Sequence, residues 1–137
     1  MESLYFLAKQ AISGLLYAWP VSLVLTLAVV LSMFVAYRHG GGVVRNVGWC
    51  LLPIVFPLAL LMWGTVFRWS NGDPYPVSTW IEYGLAAIFL LQLPVAVVVV
   101  RRARGARMLV SASFLFVGHL SCWAAFTSIM SVTGDWL

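Results

Sequence analysis

Residues 80–132 read WIEYGLAAIFLLQLPVAVVVV, then RRARGAR, then MLVSASFLFVGHLSCWAAFTSIMSV: two apolar runs around seven residues that hold four arginines. Each run exceeds the roughly 20 residues an α-helix needs to cross a bilayer core about 30 Å thick, at ~1.5 Å per residue. Working outward, two more runs of this kind lie upstream, so the spans fall at about 15–37, 47–67, 80–100 and 108–132. The reading is an all-α membrane protein of one domain, residues 1–137, with four transmembrane helices arranged as two antiparallel hairpins.

The arginines orient it. The turns at 38–46 and 101–107 carry Arg38, Arg45, Arg101, Arg102, Arg104 and Arg107, while the opposite side keeps Lys9, Arg68 and all four acids, Glu2, Asp73, Glu82 and Asp135. Basic residues near span ends are retained in the cytoplasm. Both arginine turns are therefore expected inside, with the two termini and the 68–79 loop outside, in a bacterial inner membrane. The same arginines can touch anionic lipid headgroups.

Composition closes off other classes. Hydrophobic residues make up 63% of the chain and charged residues 9%, where a soluble domain carries about 25% charged. Outside the spans only about 45 residues remain, too few for a soluble domain with its own core. The net charge of +4 is explained by topology, and no basic patch with base-reading neighbours points to nucleic acid. Cys50 and Cys122 both fall inside spans, outside any CxxC pair, and read as small buried apolar residues.

The first fifteen residues, MESLYFLAKQAISGL, lack a basic n-region and an A-x-A cleavage site. Leu4, Leu7, Ala8, Ala11 and Ile12 share one helical face, so a short interfacial helix leading into span 1 is expected. Gly40, Gly41 and Gly42 follow span 1 as a helix stop. Pro53 and Pro57 should bend span 2. Thr79 and Glu82 have the T-x-x-E spacing of a capping box, which accounts for an acid at the start of span 3.

Two polar residues sit near the middle of the membrane. Gln92 lies 12 residues before position 104, in the arginine turn, and His119 lies 15 after it, so the two differ in depth by about 5 Å. An unpaired polar group is costly at that depth, and a Gln92–His119 hydrogen bond across the hairpin is the expected solution. The pair is also the candidate for a cofactor or substrate contact, as a proton carrier, quinone contact or haem ligand. His39 stands too far along the axis to be a second axial ligand within the chain, so no cofactor is expected from this chain alone; a haem or quinone shared with a partner chain stays open. No metal cluster and no catalytic set can be assembled.

Span 4 also carries small residues at Ser111, Gly118, Ser121, Ala125 and Ser128, near one helical face. Small residues let helix backbones approach closely in lipid. The functional expectation is a small non-catalytic subunit that packs within or stabilises a larger membrane complex, with the bilayer and other membrane subunits as partners. The alternatives are a homo-oligomeric transporter or channel built on His119 and Gln92, and a membrane anchor of an electron-transfer complex.

Overall fold

A computed structural model of the chain describes residues 2–38, 48–68, 79–103 and 105–134. Every element among them is helical: α1 (Glu2–Tyr17), α2 (Trp19–Arg38), α3 (Gly48–Val66), α4 (Thr79–Arg102) and α5 (Arg107–Thr133). α2 to α5 are long and apolar enough to cross a membrane. They match the expected spans to within a few residues, and the chain is a membrane protein on that ground.

α5 is the hub. α1, α2, α3 and α4 all pack on it. It buries 44% of its most apolar stretch, against 6% for α2, which lies at the margin of the bundle. One core cluster joins Leu7 and Ala11 of α1 to Leu60 and Leu61 of α3, Leu85 of α4, and Ala124 and Val132 of α5. A second, towards the other end, joins Phe56, Val99, Ala103, Val110 and Phe114. Leu85 thus shares a cluster with Ala124, and Val99 with Val110, so residue numbers fall along α4 as they rise along α5. Gly105, with φ of 90°, lets the chain reverse between these helices. Gly134 ends α5 in the left-handed conformation, its N–H on the Met130 carbonyl at 3.0 Å.

The prolines act where expected in span 2. α3 is interrupted by a 3₁₀ turn at Leu52–Ile54. Pro53 and Pro57 each lack the N–H that would continue the α-helical ladder, and the Val55 N–H reaches back to the Leu52 carbonyl instead.

In α1 the apolar face of Leu4, Leu7, Ala8, Ala11 and Ile12 is only partly used for packing. The stripe that docks is Leu7, Ala11 and Gly14, at spacings of four and three, while Leu4 and Ile12 are exposed. Gly14 sets this contact: a Cβ there would run into the Trp123 ring. The small residues of α1 let its backbone approach α5, and this outweighs the larger side chains on the neighbouring face. Trp123, an aromatic away from the span ends, is accounted for within the chain.

A candidate polar site at mid-membrane depth

α1 and α2 are nearly one continuous helix, broken at Ala18. The Ala18 N–H still reaches the Gly14 carbonyl at 2.9 Å, but Pro20 has no N–H to give Leu16, and the ladder falters. Ser22 ties the break from the other side, donating its hydroxyl to the neighbouring Leu15 carbonyl at 2.8 Å. A serine has one hydroxyl proton, and it is used there. The His119 Nε2, 3.3 Å from the Ser22 Oγ, therefore carries the proton in that contact and donates to it. His119 of α5 thereby pins the α1–α2 junction.

The expected Gln92–His119 bond is not formed. Its physical reason is azimuth: the Gln92 amide lies against Gly118, with Nε2 3.6 Å from where a Gly118 Cβ would sit, and His119 is about 100° further round α5. Gln92 is 5% exposed and makes no hydrogen bond among the described residues. Both side chains nevertheless line one groove between α4 and α5, of about 660 Å³. Phe89 stands towards one end of the groove and Arg101 at the other, and Ser111, Gly118 and Cys122 lie along its α5 side. Cys122, expected to be buried, is exposed on this groove, while Cys50 is partly covered; both are free thiols.

The small-residue face of α5 divides in two. Ser121 and Ser128 are fully buried. The Ser128 hydroxyl donates to the Leu60 carbonyl at 2.8 Å and Ser131 donates to the Gly64 carbonyl at 3.1 Å, both across to α3. Ser121 bonds back to Val117 at 2.9 Å. Gly64 is where the two backbones come closest: a Cβ there would lie 2.9 Å from the Ser128 Cα. Ser111 and Gly118 line the groove instead, and Ala125 packs partly buried against the first core cluster.

Four of the arginines gather at one end. Arg101 and Arg102 close α4 and Arg107 opens α5. Ala36 of α2 shares a cleft of about 400 Å³ with Arg107, which brings Arg38 to the same end. The Arg38 guanidinium sits 4.6 Å over the Phe34 ring. Arg45 and Arg104 lie outside the described residues, as do His39 and the three glycines. The opposite end holds Trp63, Phe67 and Trp80 in mutual ring contact, with the Trp63 indole N–H donating to the Ile81 carbonyl at 3.1 Å. Glu82 is exposed there, in the first turn of α4, and the residues before Thr79 lie outside the described ones.

Ser22 is the residue that sequence reasoning missed. The signal was present: a hydroxyl two positions after a proline in an apolar run, where a freed carbonyl needs a donor. Among the described residues no group of three or more His, Cys, Asp or Glu could hold a metal ion. No known protein family, curated protein or solved structure matches the chain.

Proposed function

We propose that the protein is a small, non-catalytic integral membrane subunit that packs within a larger membrane complex. The observation that carries this reading is the position of α2. It leans chiefly on α5, and its other sides, including Val24, Leu27, Val30 and Phe34, are exposed. A crossing helix held along one edge leaves most of its perimeter for other chains. Ser22, Ser128, Ser131 and His119 serve the bundle's own joints. A transporter or channel has less support, since the groove holding Gln92 and His119 is lined by two helices alone, α4 and α5.

In this reading the four crossings form two antiparallel hairpins. The arginine end faces the cytoplasm of a bacterial inner membrane, and both termini face outward, as the distribution of basic residues favours. The neighbours are other membrane subunits and lipid.

The test is the native mass of the complex extracted in mild detergent from its own membranes. Stoichiometric foreign chains are expected. A mass equal to a small multiple of 15.1 kDa would overturn the subunit reading in favour of a homo-oligomer.

A further inference from the structure

The groove between α4 and α5 has the anatomy of a small-molecule site. Its volume of about 660 Å³ falls within the roughly 300–1,000 Å³ of ligand pockets, which are mostly apolar with a few polar groups to orient the ligand. The polar group here is Gln92. Its side chain is 5% exposed and has no hydrogen-bond partner among the described residues, yet no fully enclosed side-chain nitrogen or oxygen goes unpaired. The amide therefore opens onto the groove it lines. An amide left without partners in an apolar setting costs free energy that a ligand can return.

His119 lines the same groove, with its Nε2 engaged by Ser22. The Gln92 amide lies over Gly118, which has no side chain to cover it, and is the polar contact the groove offers.

Depth decides what kind of molecule fits. Gln92 lies nine residues from Arg101, about 14 Å along the axis, and near the middle of α4. Phospholipid headgroups and ester carbonyls stay at the interface and do not reach this level. The ligand must be neutral, dissolve in the hydrocarbon, and carry its own hydrogen-bonding head on an apolar tail. We infer that this groove binds a membrane quinone, a ring carbonyl accepting a hydrogen bond from the Gln92 amide. The inference holds whether or not the chain is a subunit.

The test uses the full chain reconstituted in nanodiscs of quinone-free lipid and a ring-azido benzoquinone with a ten-carbon tail. After illumination, cross-links should map to residues 89–101 and 111–122, and a non-photoreactive quinone should compete them away. Gln92→Leu should weaken binding about tenfold, the equivalent of one lost hydrogen bond, without lowering thermal stability, because the amide bonds nothing in the protein. Gly118→Leu should abolish labelling by filling the groove. Cross-links scattered over α2, labelling that is not competed, or labelling unchanged in Gln92→Leu would overturn the assignment. The wild-type map does so without relying on any variant to fold. A Cys122 disulfide to a second copy or to another chain in native membranes would also overturn it, by showing that a helix covers the groove.

Discussion

The His119 Nε2 lies 3.3 Å from the Ser22 hydroxyl, 97 residues away in sequence, and the same hydroxyl holds the Leu15 carbonyl at 2.8 Å. The break between α1 and α2 and the middle of α5 are therefore one joint. A histidine in the middle of a membrane span invites a catalytic interpretation, and here its Nε2 has a structural task.

His119→Leu should cost about 0.6 kcal/mol and no more than about 1.7, the range of side-chain hydrogen bonds between membrane helices. The check is reversible unfolding in detergent. Ser22→Ala should cost a comparable amount, and the double variant less than the sum, because both remove one contact. Strict additivity would mean that the contact contributes nothing to stability.

Gly64→Val should be the more damaging change. The Ser128 backbone stands where the new side chain would go, and overpacking of a tight contact costs about 1–3 kcal/mol. Ser128→Ala removes only the bond to the Leu60 carbonyl and should cost about 0.6 kcal/mol. The order of midpoints in the same unfolding assay, Gly64→Val below Ser128→Ala below the parent, is the expected result.

The docking of α1 can be read by thiol labelling in a background without Cys50 and Cys122. Ile12→Cys should label readily and Ala11→Cys should resist, because Ile12 is 55% exposed and Ala11 1%. Adding Gly14→Leu, which drives a side chain into Trp123, should release α1 and make position 11 reactive. Equal labelling at 11 and 12 in the parent would show that α1 does not sit on α5.

Topology has its own test. In the same background, Ser70→Cys in intact cells should react with an impermeant maleimide, and Val44→Cys should react only after permeabilisation. The reverse pattern would invert the proposed orientation while leaving the helices as they are.

The number, length and order of the crossings were legible because a run of twenty apolar residues has few other uses. Depth was legible too: counting from the arginine turn placed Gln92 and His119 at nearly one level, and the structure puts them on one groove. Rotation was not legible. In lipid an apolar side chain is acceptable on every face, so the pattern of Leu, Val and Phe does not reveal which side meets a neighbour. Hence Gln92 was expected to reach His119, which instead turns towards Ser22. The small residues of α5 were read as one packing face, and the face has two destinations, Ser128 towards α3 and Gly118 towards the groove. The α1 contact was obscured because its anchors, Ala11 and Gly14, are less conspicuous than Leu4 and Ile12.

α5 follows every other described helix in the chain, and all of them pack on it. A ribosome delivers α1 to α4 to the membrane before the surface they share exists. Those helices must wait in the bilayer with Gly14, Ser22 and Gly64 unmatched, and the emergence of residues 107–133 then assembles the bundle in one step. Nascent chains stalled before Arg107 would carry α1 to α4 and still be open to degradation, so quality control of this bundle turns on α5.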